Sequence, residues 1–124
     1  MKSIKILLIE DDLYLREMYE LVLQKSGFTV IIAADGEKGL QLTKDNPDIL
    51  VVLTDVMLPK MSGLDVLKAV KSDNATKNIP VVMMSNFTDE GIIKKALKDG
   101  AQSYLFKAQL SPEQLVEKVK EFMK

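Results

Sequence analysis

The 124-residue chain contains no cysteine and no histidine. Without cysteine there is no disulfide, no thiolate nucleophile and no Cys-ligated zinc or iron–sulfur centre. Without histidine there is no Ser-His-Asp triad, no imidazole metal ligand and no phosphohistidine carrier. Long apolar runs are missing too. The hydrophobic residues come in short blocks broken by charge, far from the ~20 needed to span a bilayer. The apolar stretch after Met1-Lys2-Ser3 is also too short for a signal peptide. Neither sign of charge dominates, with 17 basic and 18 acidic residues, so nothing electrostatic calls for nucleic acid as a partner. Any chemistry is left to carboxylates, hydroxyls, lysines and a hard metal ion, in a chain expected in the cytoplasm.

An apolar fraction of 47% is enough for a real core, and the length fits a single domain over residues 1–124. No repeat, low-complexity segment or linker interrupts it. Five apolar runs read as strands: Lys5 to Ile9, Thr29 to Ala33, Ile49 to Thr54, Val81 to Met84 and Ser103 to Phe106. Three are almost continuously aliphatic, as in parallel strands buried on both faces.

Helical stretches separate them. Asp12 caps the first, whose Leu15, Met18 and Val22 share a face before Gly27 stops it. Asp35 caps the second, which fades at Asn46-Pro47. Ser62 caps the third, with Leu64, Val66, Leu67 and Val70 on its apolar side. Thr88 is the expected cap of the fourth, which Gly100 closes. Ser111, Pro112 and Gln114 open the last with a capping box.

Strands alternating with helices imply right-handed crossovers and an α/β fold. The expected architecture is (βα)5: a doubly wound, five-stranded parallel sheet in the flavodoxin-like order 2-1-3-4-5. Ligands of such sheets bind at the carboxyl ends of the strands, near the switch point between strands 1 and 3.

That edge collects the chain's chemistry. Strand 1 runs into Glu10-Asp11-Asp12, strand 3 into Thr54-Asp55, strand 4 into Ser85-Asn86, and strand 5 into Lys107. Singly, each has an ordinary explanation: a solvated helix start, a turn cap, a solvent-facing lysine. Their coincidence on one edge does not. Glu10, Asp11 and Asp55 in one cleft would repel until a cation neutralised them, and an all-oxygen donor set suits Mg2+.

The stretches ILLIEDD, VVLTDVMLPKMSGLDVL, IPVVMMS and DGAQSYLFK resemble, in order and over essentially the whole chain, the receiver domain of bacterial response regulators. Asp55 followed by Leu58-Pro59 and Gly63 is the most specific part. The resemblance implies a phosphorylation-activated switch of a two-component or phosphorelay system. Asp55 would be the phosphoacceptor. Asp11 would ligate Mg2+ (with Mn2+ a possible substitute), Glu10 would act through a metal-bound water, and Met57 would offer its backbone carbonyl. Ser85 and Lys107 would bind phosphoryl oxygens, and Ser85 with Tyr104 would switch the helix 4–strand 5–helix 5 face. Lys94, Lys95 and Lys98 lie near that face. Met57 and Phe87 would flank the approach of hydrolytic water.

The same resemblance implies a sensor histidine kinase or phosphotransfer protein as phosphodonor and a protein as output partner. It implies no enzyme acting on an external metabolite. A phosphorylation-independent pseudo-receiver, used as a protein-binding module, is the alternative. A haloacid-dehalogenase-type phosphatase would need an aspartate where Met57 stands, and a flavodoxin would need a hydroxyl-rich loop after strand 1. A start just before strand 1 and an end without trailing linker favour a stand-alone domain.

Two positions depart from the family pattern. Ala108 follows the lysine where proline is usual, and a trans Lys107–Ala108 peptide is expected because a non-proline cis bond costs ~3–4 kcal/mol. Asn86 replaces a small residue beside the site. Its amide either narrows access to Asp55 or bonds the phosphoryl group.

Overall fold

The computed structural model describes residues 3–123. Five strands, β1 (Lys5–Ile9), β2 (Thr29–Ala33), β3 (Val51–Asp55), β4 (Val81–Ser85) and β5 (Ser103–Phe106), form one parallel sheet in the order β2-β1-β3-β4-β5. Helices α1 (Leu13–Lys25), α2 (Gly36–Asp45), α3 (Gly63–Ser72), α4 (Glu90–Lys98) and α5 (Pro112–Lys120) follow the strands in turn. One-turn 3-10 helices occupy Lys107–Gln109 and Glu121–Met123. This is the flavodoxin-like doubly wound architecture expected from the alternation of elements.

Strand alternation divides the core. Leu7, Ile9, Val52 and Met83 face α2, α3 and α4 with Val66, Leu67, Val70 and Ala96. Ile6, Leu8, Leu53 and Met84 face α1 and α5 with Tyr19, Leu23, Leu115 and Val119. Burial on both faces explains why these strands are continuous aliphatic runs.

Side-chain caps fix the helix starts. Asp12, Asp35 and Ser62 accept the backbone N–H groups of Leu15, Lys38 and Asp65, and Ser111 with Gln114 closes the capping box. Gly27 and Gly100 leave α1 and α4 with φ of 98° and 109°, a backbone that side chains disfavour.

Some local expectations need correction. Asp89, not Thr88, caps α4: its carboxylate accepts from Ile92 N at 3.1 Å, a stronger acceptor than a hydroxyl. On α1 the deepest residues are Tyr19 and Leu23, while Leu15, Met18 and Val22 are half-buried beside them. Strand β3 starts at Val51 rather than Ile49, because Ile49 N closes a turn onto Asn46 O. Both β3 and β4 run one residue further than the apolar pattern suggests, so Asp55 and Ser85 are terminal strand residues.

Candidate functional site

Register decides what meets at the carboxyl edge. Ile9 pairs with Thr54, Asp55 with Met84, and Ser85 with Phe106, so Glu10 and Asp55 leave their strands level with each other, and Ser85 and Lys107 lie one and two residues further along the same edge. One oxygen from each of Glu10, Asp11 and Asp55 lies within 4.8 Å of the others. The cluster forms as the sequence predicts.

Each carboxylate is held differently. Glu10 is 2% exposed, with Oε2 accepting Asp12 N at 3.2 Å and Oε1 bound to Lys107 Nζ. Asp55 directs Oδ1 at Val56 N (2.7 Å) and Oδ2 at Lys107 Nζ (2.7 Å). Asp11 is exposed. Thus Lys107, with its side chain 8% exposed, bridges two of the three acids.

Burial pushes the Glu10 carboxyl above its ordinary range, outweighing the pull of Lys107. Burial alone would lower Lys107, but its hydrogen bonds to Asp55 and Glu10 and their charges raise it overall, so it stays protonated. Three carboxylates against one ammonium leave the cleft electronegative. The donors are all oxygen and one acid faces solvent. That set fits a hard divalent cation that keeps some of its water.

Ser85 is 1% exposed, and its Oγ accepts Phe87 N at 3.0 Å. The hydroxyl keeps its own proton to donate. Tyr104 donates to Phe87 O at 3.1 Å, and its ring meets Phe106 edge-on at 5.6 Å. Met57 and Phe87 both stand at the surface, 61% and 39% exposed. Asn86, also exposed, accepts from Ala108 N through Oδ1 at 3.1 Å. The Lys107–Ala108 peptide is trans. Lys94, Lys95 and Lys98 are exposed on α4, and Lys95 pairs with Asp99 at 3.1 Å.

Three supporting residues escaped the sequence reading. Arg16 donates to Glu10 O at 2.9 Å from one turn into α1. Tyr19, 1% exposed, has its phenol pushed above the ordinary range, by burial first, with the charge of Lys107 pulling it down and those of Glu10 and Asp55 pushing it up. Gly63 belongs to the Asp55–Leu58-Pro59–Gly63 motif, but its packing role does not show in the sequence. A Cβ there would sit 1.8 Å from Asp55 O, so the start of α3 presses directly on the backbone of the candidate acceptor.

Residues 6–120 match the family model described as the response regulator receiver domain. The chain is 35% identical over 117 residues to the DNA-binding response regulator MtrA of Mycobacterium tuberculosis, covering 94% of this chain and 49% of that protein. It therefore spans about half the length of such relatives. Among solved structures it resembles the chemotaxis protein CheY4 of Vibrio cholerae (28% identity, TM-score 0.88, covering 98% of this chain and 99% of that one). It also resembles a chain of the CheX–CheY–BeF3–Mg complex of Borrelia burgdorferi (27% identity, TM-score 0.87, covering 98% and 90%). No helix among the described residues is long and apolar enough to cross a membrane. With its sheet order, its acidic edge and a family match over nearly its whole length, the chain belongs to the response regulator receiver domain family of two-component signalling.

Proposed function

We propose that the chain is a switch turned on by phosphorylation of Asp55, with Mg2+ held by Glu10, Asp11, Asp55 and the carbonyl of Met57. The observation that carries this reading is the placement of Asp55. It ends a strand whose other four residues are buried, with its carboxylate 13% exposed, between Lys107 and two further acids. In the transfer, an Asp55 oxygen forms a new bond to phosphorus. The donor's bond to phosphorus breaks, and the leaving group takes the electron pair.

A histidine kinase or phosphotransfer protein fits as donor. Bound Mg2+ supplies positive charge against the phosphoryl oxygens. Lys107 pairs with one of those oxygens, and Ser85 donates its hydroxyl proton to another, both from positions fixed by neighbouring strands. Water later attacks phosphorus, releasing phosphate and restoring the carboxylate. No external metabolite is turned over.

Engagement of Ser85 changes the loop it now holds through Phe87 N, and with it the contact from Tyr104 to Phe87 O. That biases a two-state face made of α4, β5 and α5. A cavity of about 310 Å3 next to Tyr104, lined by Phe106, Leu110 and Gln114, offers this face a partner-binding groove. The partner is a protein, and the setting is cytoplasmic.

Intact-mass measurement with a small phosphodonor and Mg2+ tests the acceptor. The parent gains one phosphoryl group and Asp55→Asn gains none; full labelling of the Asn variant sinks the assignment. Metal titration of Asp11→Ala tests the cation site, and unchanged affinity would move it elsewhere. A parent that never labels would instead be the pseudo-receiver, binding partners constitutively.

A further inference from the structure

The two residues that depart from the family pattern touch each other. Asn86 Oδ1 accepts the N–H of Ala108 at 3.1 Å. That N–H exists only because residue 108 is not proline. It also belongs to the first turn of the one-turn helix Lys107–Gln109, where N–H groups have no partner inside the helix. The residue ahead of that turn, Phe106, provides no side-chain cap. Asn86 caps it from another loop, across 22 residues of sequence.

The bond joins the two segments that carry phosphoryl-binding groups. Ser85 and Phe106 are register partners at the end of β4 and β5, so Asn86 directly follows Ser85 and Lys107 directly follows Phe106. Beyond this point strand pairing stops, and the β4–α4 loop is held to its neighbour by side-chain contacts, among them Tyr104 Oη donating to Phe87 O. The amide of Asn86 is the tie that continues the pairing one step past the sheet. We propose that Asn86 and Ala108 form a latch between the β4–α4 and β5–α5 loops, fixing the spacing of Ser85 and Lys107, so that Asn86 is a positioning residue for acceptance at Asp55.

This rests on Asp55 being the acceptor, and it accounts for both departures at once. An asparagine beside the site is useful here because position 108 offers a donor. Its carbonyl oxygen is turned to the neighbouring loop and is not left to crowd Asp55. A smaller residue at 86 would leave the Ala108 N–H to water and let the two loops drift apart.

Amide exchange of the whole unphosphorylated chain, read at Ala108, tests the bond without any phosphoryl chemistry. Asn86→Ala should speed exchange at Ala108 about five-fold, the factor one net neutral hydrogen bond supplies. Unchanged exchange overturns the latch. Labelling kinetics with a small phosphodonor and Mg2+ test the coupling. Asn86→Ala should slow acceptance about two- to five-fold in the parent and leave the rate unaltered in an Ala108→Pro background, where no donor exists to be lost. An acceleration of equal size in both backgrounds would mark simple steric relief and overturn the proposal. So would faster exchange with no change in labelling rate. If neither the parent nor any variant labels, the acceptor reading fails, and Ala108 exchange still decides whether the bond forms.

Discussion

Lys107 Nζ lies 2.7 Å from Asp55 Oδ2, although 52 residues separate the two in sequence. The same ammonium reaches Glu10, so one cation at the end of β5 balances acids from β1 and β3. In the metal-free protein Lys107 is therefore a counterion as well as a candidate phosphoryl ligand. A divalent ion held by these carboxylates would share them with Lys107, which would then be less needed for charge balance.

Removing Lys107 exposes that role. Lys107→Met should destabilise the metal-free chain by on the order of 3 kcal/mol, because Glu10 and Asp55 lose their buried partner. Added Mg2+ should recover most of the loss by mass action on the folded state. Urea denaturation with and without Mg2+ measures both. A variant as stable as the parent without metal would show that the pairing carries no net weight.

The raised pKa of Glu10 sets a pH dependence opposite to that of an ordinary salt-bridged acid. Burial lifts its folded value above 4.5, so the folded chain binds more protons than the unfolded chain between 4.5 and the folded value. Across that window the Glu10 contribution to stability falls as pH rises, and it recovers on acidification. In metal-free buffer, the stability of the parent relative to Glu10→Gln should improve as pH drops from neutrality toward 4.5. A flat difference across that range would mean that pairing with Lys107 fully offsets burial.

Gly63 packs the start of α3 directly against the backbone of the proposed acceptor, Asp55. A methyl group there would overlap Asp55 O at 1.8 Å, and Gly63 N also donates to Val56 O at 2.8 Å. Gly63→Ala must push α3 away from the loop after β3. The expected cost is about 1–3 kcal/mol or more, with slowed phosphoryl acceptance as Asp55 shifts. Thermal unfolding together with labelling rates checks it, and normal values for both would show that the loop yields freely.

The sheet and the acidic cluster were legible because they follow from local rules. Period, caps and strand-end polarity place Glu10, Asp55, Ser85 and Lys107 on one edge before any contact is seen. What sequence could not give was pairing between side chains. Nothing local links Lys107 to Glu10 across 97 positions, or turns Asn86 toward Ala108. Arg16 and Tyr19 read as helix-surface and helix-core residues, and only tertiary packing brings them to the cleft. Asp89 displaced Thr88 as a cap for a similar reason, since two adjacent cap-forming residues leave the choice to the backbone path.

The lifetime of the phosphorylated state follows from what stands at the rim of the site. Hydrolysis needs a water in line with the Asp55–phosphorus bond, opposite the leaving carboxylate. Met57, two residues after Asp55, and Phe87, two after Ser85, are the side chains expected to flank that approach. Both are large, apolar and exposed, at 61% and 39%. Neither side chain can hydrogen-bond a water, and an apolar pair at the approach disfavours the ordered position that in-line attack requires. The phosphorylated chain should therefore lose its phosphoryl group slowly. Replacing both residues, Met57→Asn with Phe87→Glu, adds groups that can orient water and should speed decay roughly ten-fold, below the full range of general acid–base catalysis because orientation alone is gained. Decay of the phosphorylated protein in Mg2+ after donor removal measures this. A double variant that decays no faster than the parent would show that water reaches phosphorus by a path these two side chains do not guard.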